Sequence, residues 1–226
     1  MKKQILFLVS GLSLCFATSS SAQVRYGLRV GPQLSQMQFS STAPEMTFQP
    51  VLGFLAGAVA EYETSKNVAF VGGLQVSAYG ASSQYEIVDG SYVFHRKVRS
   101  NVFYAQVPIL VKFQHRGFSM ALGLYGGLGL FGKEKRTEEG NGIRSSEEKV
   151  NTRFGSEKTD DYRRLDFGIA AEAGYSFRNF RLGLHYYLGL KDANYLGAAY
   201  SQFLLTTVGR NRALGASLTY YLGQGE

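Results

Sequence analysis

The three histidines of this chain could act as metal ligands or as catalytic bases, but their sequence neighbours do not support either role. His95, His115 and His185 lie far apart in the sequence, and none has the spacing of a metal motif such as H-x-x-x-H. A lipid hydrolase would need a histidine close to a serine, with a supporting acid. His185 is followed by two tyrosines, and His115 by arginine and glycine. We therefore expect no metal, no cofactor and no catalytic residue, and a lipid-directed enzyme is the third of three functional interpretations.

A second set of reactive side chains is charged or polar, and most of its members stand between two apolar residues. The set comprises Arg25, Arg29, Glu61, Gln75, Lys112, Arg164, Asp166, Glu172, Arg181 and His185. A polar residue between apolar neighbours is typical of a β-strand with one polar face and one apolar face. If the apolar faces point outward, these charges lie in the interior, where they must be paired.

We interpret seven members of this set as a structural charge network that fills a lumen. They are Arg29, Glu61, Lys112, Asp166, Glu172, Arg181 and His185. The alternative interpretation is a narrow channel, in which the same charges conduct protons or small solutes. The segments of the chain with alternating polar and apolar residues number eight, and an eight-stranded β-barrel would have an interior that side chains alone can fill, which favours the structural interpretation.

Eight segments of the chain carry the two-residue alternation and would position these charges. They are residues 24–35, 51–62, 68–79, 101–113, 118–131, 165–175, 180–190 and 212–222. A run of about ten residues exceeds the usual soluble strand of about 5–6 residues and matches the roughly 9–11 residues that cross a bilayer. The connections alternate long and short. The sequence therefore predicts an all-β fold, an eight-stranded antiparallel up-and-down transmembrane β-barrel with short periplasmic turns and longer extracellular loops.

Each of the eight segments also carries an aromatic residue on its apolar face, near the end that leads to a short turn. These residues are Tyr26, Tyr62, Phe70, Phe113, Phe118, Tyr175, Phe180 and Tyr220. Aromatic side chains favour the boundary between lipid headgroups and hydrocarbon. We expect this set to form the periplasmic aromatic girdle of the barrel.

Two features do not follow the simple pattern. Pro32 and Pro108 lie inside predicted strands, where proline cannot donate a ladder hydrogen bond, so we expect a β-bulge at Pro108. The stretch from Lys133 to Asp161 is rich in charges of both signs. It is interpreted as a solvated loop, an extension of its hairpin beyond the membrane, or a surface that meets a partner. If it crossed the membrane as another hairpin, the barrel would have ten strands.

The N-terminus and the composition narrow the class of protein further. A basic start, an apolar run over residues 5–16 and small residues before Gln23 predict a cleavable signal peptide over residues 1–22, followed by one barrel domain over residues 23–226. The single cysteine, Cys15, follows Leu14 where a lipidation motif requires a small residue. The net charge is +7, but the basic residues form no continuous run in the sequence. We therefore expect no nucleic-acid partner. The 27 glycines, 15 tyrosines and 16 phenylalanines suit a barrel.

Four segments resemble a known family. They are V-R-Y-G-L-R-V-G-P-Q-L-S from Val24, F-Y-A-Q-V-P-I-L-V-K-F from Phe103, R-L-D-F-G-I-A-A-E-A-G-Y from Arg164 and L-G-L-H-Y-Y-L-G-L from Leu182. Together they resemble the PorT-like outer-membrane β-barrel proteins of the Bacteroidetes, which are Gram-negative bacteria.

This resemblance implies a location in the cell outer membrane, in contact with its lipid, and a non-enzymatic structural or interaction role at the cell surface. It also implies a link to protein secretion. A surface or secretion-system protein would then be the partner, reached through the extracellular loops at residues 38–49, 83–99, 133–161 and 191–205.

Overall fold

The computed structural model describes residues 24–40, 47–89, 92–140, 143–155, 162–192 and 208–222. The predicted signal peptide lies outside the described residues. So do parts of the predicted extracellular loops, including almost all of the loop at residues 191–205.

The described chain is built from eleven strands. They are β1 (Val24–Ser40), β2 (Thr47–Ser65), β3 (Val68–Asp89), β4 (Tyr92–His115), β5 (Phe118–Gly140), β6 (Ile143–Asn151), β7 (Phe154–Gly155), β8 (Tyr162–Arg163), β9 (Leu165–Phe177), β10 (Phe180–Asp192) and β11 (Val208–Leu222). Within the described ranges, no helix is long and apolar enough to cross a membrane.

Eight of these strands close into a ring. Each pairs antiparallel with its neighbours in the order β1, β2, β3, β4, β5, β9, β10 and β11, and β11 pairs back with β1. Two-residue turns at residues 66–67, 116–117 and 178–179 join successive ring strands at one edge. The start of β1 and the end of β11 lie at the same edge, since Tyr26 is paired with Leu222. The predicted eight-stranded up-and-down barrel is confirmed.

The exterior of the ring is apolar and the interior is polar, as strict alternation requires in a closed sheet that faces lipid. On β10, Leu182 and Leu184 are 58% and 61% exposed, whereas Arg181 and His185 are each 2% exposed. The ring satisfies the backbone hydrogen bonds of its strands internally, so that no sheet edge faces the hydrocarbon.

The stretch after Lys133 does not add strands to the ring. Strand β5 pairs with β9 from Phe118 to Leu128, and above that level it pairs with β6 instead. Strands β3, β4 and β5 also pair with one another far beyond the ring, through residues 82–89, 92–101 and 133–140. We call these three segments and β6 the sheet extension. Of the three interpretations of the charged stretch, the structure shows the second, a hairpin that extends beyond the membrane.

The prediction of a β-bulge at Pro108 is wrong. Pro108 is paired with Tyr125 of β5, and the pairing of β4 with β3 keeps the same register on both sides of it, from Gly72–Ile109 to Gln75–Gln106. The missing N–H is therefore accommodated by an interrupted ladder, and no extra residue is inserted. The register between β4 and β5 changes instead between Phe103 and Tyr104. There, two consecutive residues of β5, Leu130 and Phe131, both point outward.

Pro32 behaves in the same way. Its strand keeps one register with β11 across the proline, from Val30–Leu218 to Gln33–Gly215. An added Cβ on the preceding residue, Gly31, would lie 1.9 Å from the backbone oxygen of Ala216, so the two strands approach too closely here for any side chain. Proline and glycine together form a local interruption of the ladder without a change of register.

Candidate functional site

The interior charges are gathered into two clusters. In the first, near the turn edge, Glu61 is fully buried and accepts hydrogen bonds from three donors. These are the Arg25 guanidinium at 2.7 Å, the Tyr221 hydroxyl at 2.7 Å and the Lys112 ammonium. They come from β1, β11 and β4, so this one carboxylate ties together strands from both halves of the chain.

The second cluster is centred on Glu172 of β9. Its carboxylate accepts hydrogen bonds from Arg29 at 2.5 and 3.0 Å, and from Arg181 at 3.0 Å. Arg181 also donates from Nε to the Ser119 hydroxyl at 3.2 Å. The side chains of the three charged residues are 1–2% exposed. Two arginines and one glutamate therefore fill the width of the lumen as a connected group.

The two other members of the predicted network, Asp166 and His185, form no ion pair with a described residue. Asp166 accepts hydrogen bonds from the uncharged Tyr125 hydroxyl at 3.1 Å and the Asn211 amide at 3.0 Å. Neither ring nitrogen of His185 has a hydrogen-bond partner among the described residues, and the Tyr187 ring lies 5.6 Å from the imidazole between centroids. The lumen thus contains two ion clusters and two buried groups outside them.

Arg164 is not in the lumen, so the expectation that it points inward is wrong. It lies at a bend between β8 and β9, outside either strand, and its side chain is exposed. Its backbone N–H donates to the Gly155 oxygen, and its backbone oxygen accepts from the Gly129 N–H at 2.6 Å. The two-residue alternation of β9 begins only at Leu165, and therefore does not apply to Arg164.

Aromatic rings close the extracellular end of the lumen. Phe154 and Tyr162, from the chain between β6 and β9, fold back into the mouth of the barrel. The Phe154 ring packs on Tyr104 at 5.8 Å, and the Tyr162 hydroxyl donates to the Ser100 hydroxyl at 2.9 Å. The Tyr104 hydroxyl in turn donates to the backbone oxygen of Arg163 at 3.3 Å. We call Phe154 and Tyr162 the mouth plug.

The mouth plug was missed by the sequence reasoning, which treated this part of the chain only as a charged stretch. The sequence does contain a sign of the mouth plug. Phe154 is the single aromatic residue between Lys133 and Asp161, and Tyr162 is the residue after Asp161. Large apolar rings in a charged segment near a membrane indicate a contact that removes them from water.

The eight residues of the predicted girdle lie on the outer face near the turn edge. Exposure ranges from 68% for Phe118 and 60% for Tyr26 to 37% for Phe180, and Tyr62 is half-buried. Neighbours contact across strands, with ring centroids 4.8 Å apart for Phe118 and Tyr175, and 5.1 Å apart for Phe180 and Tyr220. Phe177, which the prediction omitted, stacks on Phe180 at 5.8 Å and belongs to the same level.

The interior is packed, and each of its two buried glutamates is paired with two cations. Among the described residues, no group of three or more His, Cys, Asp or Glu side chains could hold a metal ion. The two ion clusters occupy the lower and middle lumen, and the mouth plug with Tyr79, Tyr104, Tyr125 and Tyr187 occupies the upper part. The arrangement can hold the eight strands together, because each ion cluster joins side chains from several strands.

A closed antiparallel ring with an apolar exterior and a charged, filled interior defines a transmembrane β-barrel. Residues 16–194 match the family described as the outer membrane protein beta-barrel domain. The chain belongs to that family, and the protein lies in the outer membrane, in contact with its lipid.

Solved structures that match the chain share little sequence with it. The chain is 14% identical to Ail, the attachment invasion locus protein of Yersinia pestis, with a TM-score of 0.38 and coverage of 88% of this chain and 99% of Ail. It is 12% identical to Neisserial surface protein A, with a TM-score of 0.37 and coverage of 89% and 99%. It is 10% identical to OprG from Pseudomonas aeruginosa, with a TM-score of 0.38 and coverage of 88% and 96%. No curated protein matches the sequence.

Proposed function

We propose that this barrel is a non-enzymatic outer-membrane protein that presents the sheet extension to a partner protein at the cell surface. The observation that carries the proposal is the length of β3, β4 and β5, which have 22, 24 and 23 residues, whereas β9 and β10 have 13 each. From Phe103 to Tyr92, β4 continues for about 36 Å along its own direction, at about 3.3 Å per residue. A membrane anchor alone does not need this ordered, charged sheet.

The contents of the lumen support an anchoring role over the alternative of a narrow channel. Glu61 and Glu172 each bind at least two cations across the interior, and the mouth plug lies above them. Breaking such a buried pair to admit a solute would cost about 3–5 kcal/mol, because one charge would be left buried without a partner. Conduction would therefore require a large rearrangement of the interior.

The surroundings of His185 support the non-enzymatic part of the proposal. An activated nucleophile is recognised by a serine, cysteine or threonine within hydrogen-bond reach of a base. Neither nitrogen of His185 has such a partner among the described residues, and its side chain is 2% exposed. Its side chain therefore offers a lipid substrate almost no accessible surface.

We further propose that the partner belongs to a system for secreting proteins to the cell surface. This part of the proposal rests on the resemblance of four segments to the PorT-like proteins of the Bacteroidetes. The sheet extension would then be the part of the barrel that such a system contacts.

The test removes the upper part of the extension at a single level. Residues 84–97 and 137–147 are each replaced by Asn-Gly, which favours a two-residue hairpin turn. Ser83 pairs with Val98, Val98 with Arg136, and Arg136 with Glu148, so the four strands would end together with their register intact. The shortened protein should insert and keep its folded gel mobility. Cells that carry it alone should display and secrete fewer surface proteins than wild-type cells.

Site-specific photocross-linking adds a direct readout. A photoreactive residue at Lys97 or Lys149 should give a discrete cross-linked protein in living cells, whereas one at Lys66, in a turn at the opposite edge, should not. Normal secretion by cells with the shortened barrel would overturn the link to secretion. Absence of any cross-link from the sheet extension would overturn the proposal that it contacts a partner protein.

A further inference from the structure

The outward face of the sheet extension has an excess of positive charge. Phe103 and Phe131 stack on the outer face of the barrel at 4.6 Å, and residues at even spacing above them on each strand share that face. The contact of Lys135 with Glu147 at 2.9 Å shows that β6 presents its odd-numbered residues to the same side. Among the residues whose side chains are described, the outward cations are Lys97, Arg99, Lys133, Lys135 and Lys149, against Glu139 and Glu147.

On the opposite face of the extension, by contrast, the cations Arg96 and Arg136 are held in ion pairs. Arg96 pairs with Glu138 at 3.3 Å, and Arg136 pairs with Glu134 at 2.6 Å and with Glu148 at 3.9 Å. On the outward face, Lys97, Arg99, Lys133 and Lys149 are all exposed, and none forms an ion pair with a described residue. The charge is therefore sorted between the two faces, and the unpaired cations lie on the side that continues the lipid-facing surface.

A groove lies directly beneath these cations. Its volume is about 450 Å³, and it is lined by Leu52, Phe54, Ala78, Asn101, Phe103 and Phe131, with Lys133 at its rim. It exists because β2 and β3 change register between Pro50–Ala81 and Leu55–Ser77, which leaves the intervening residues unpaired. The wall is aromatic and aliphatic, and its upper edge carries an amide and an ammonium group.

The position of the groove along the barrel axis corresponds to the outer boundary of the membrane. Phe113 belongs to the girdle at the turn edge, and Phe103 lies ten residues further along the same strand. Ten residues span about 33 Å along a strand, or about 25 Å across the bilayer at the usual tilt, which matches the height of the apolar band of such barrels. Lys133 and Arg99 therefore lie at the level of the outer-leaflet headgroups.

We infer that this face binds a phosphate-bearing, acylated lipid of the outer leaflet. An acyl chain would lie in the groove between Phe54, Phe103 and Phe131, and the phosphates would contact Lys133 at the rim and Arg99 and Lys149 above it. Arginine and lysine are the residues that recognise phosphate, and apolar contact alone would not require them. The groove supplies selectivity for an acylated ligand, and the cations supply selectivity for a charged headgroup.

The experiment titrates the purified full-length barrel, in neutral detergent micelles, with bisphosphorylated lipid A, and measures binding by native mass spectrometry. The variant Arg99→Gln/Lys133→Gln/Lys149→Gln breaks no ion pair between described residues and should bind about a hundredfold more weakly, since each cation near an anionic lipid surface contributes about fivefold. Its matched control, Lys66→Gln/Arg116→Gln/Arg178→Gln, removes three exposed cations from the opposite edge. This control should bind as wild type does.

Two further comparisons separate the headgroup from the acyl chain. Phe131→Ala opens one wall of the groove and should weaken binding, whereas Phe177→Ala, in the stacked pair at the other edge, should not. A soluble phosphorylated disaccharide without acyl chains should bind far more weakly than lipid A. Equal affinity of the triple variant and its control for lipid A would overturn the proposal. Equal binding of the disaccharide would overturn the assignment of the ligand as a lipid.

Discussion

The carboxylate of Glu172 holds two buried arginines in the middle of the lumen, and replacing it with glutamine is expected to destabilise the barrel strongly. The variant leaves Arg29 and Arg181 without the anion that receives three of their hydrogen bonds, at 2.5, 3.0 and 3.0 Å. Removing one partner of a buried ion pair costs about 3–5 kcal/mol, because a charge is left buried and uncompensated. We expect the free energy of unfolding to fall by that amount.

The assay is reversible unfolding of the bilayer-inserted barrel in guanidinium, followed by far-ultraviolet circular dichroism. With a denaturant dependence of about 4 kcal/mol per molar, the midpoint should fall by about 1 M. A glutamate in a more exposed pair is the matched control. Glu63 contacts Arg25 at 2.9 Å, and both side chains are 26% exposed, so Glu63→Gln should cost less than about 1 kcal/mol.

A compensating variant tests the physical reason. Arg29→Met/Glu172→Leu/Arg181→Met removes all three charges together and fills the space with apolar groups of similar length. Such replacements of whole buried ion clusters are often neutral or stabilising, so most of the lost stability should return. A Glu172→Gln variant within about 1 kcal/mol of the wild-type stability would contradict the expected cost of an unpaired buried charge. A triple variant less stable than the single one would contradict it as well.

Three other predictions concern the strands, the lumen and the ring. Gly123→Ala should cost about 1–3 kcal/mol, because an added Cβ would lie 2.0 Å from the Ile109 backbone oxygen, whereas Gly126→Ala, with open space around it, should be neutral in the same unfolding assay. In planar bilayers the wild-type protein should show no steady open state; conductance steps that disappear in Glu172→Ala and Arg181→Ala would contradict a sealed lumen. Unboiled protein should migrate differently from boiled protein on a gel, since the ring satisfies its own backbone hydrogen bonds, and identical mobility would contradict closure.

Much of the fold could be predicted from local sequence, and β10 shows why. Arg181, Gly183 and His185 alternate with Leu182 and Leu184, and a bilayer admits only one assignment of those two faces. The same argument placed Glu61, Lys112 and Glu172 on interior faces of their strands. It failed for Arg164, which lies just before β9, because alternation gives no sign of where a strand begins. It also failed for Pro108, because sequence shows a missing donor without showing how the ladder adjusts.

Local spacing therefore predicted eight crossing strands, their antiparallel order and the face of most of their side chains, since these depend on residues within about ten positions of one another. It left open whether residues 133–161 add two more strands. Which charges meet, by contrast, depends on how the strands are arranged in three dimensions. Glu172 binds Arg29, 143 residues away, because the pairing of β1 with β11 closes the ring, and Lys112 binds Glu61 across the intervening strand β3. The same arrangement returns Phe154 and Tyr162 to the mouth and places Lys133 at the rim of a groove. Contacts between distant strands depend on the stagger with which the sheet closes, and no local pattern encodes that stagger.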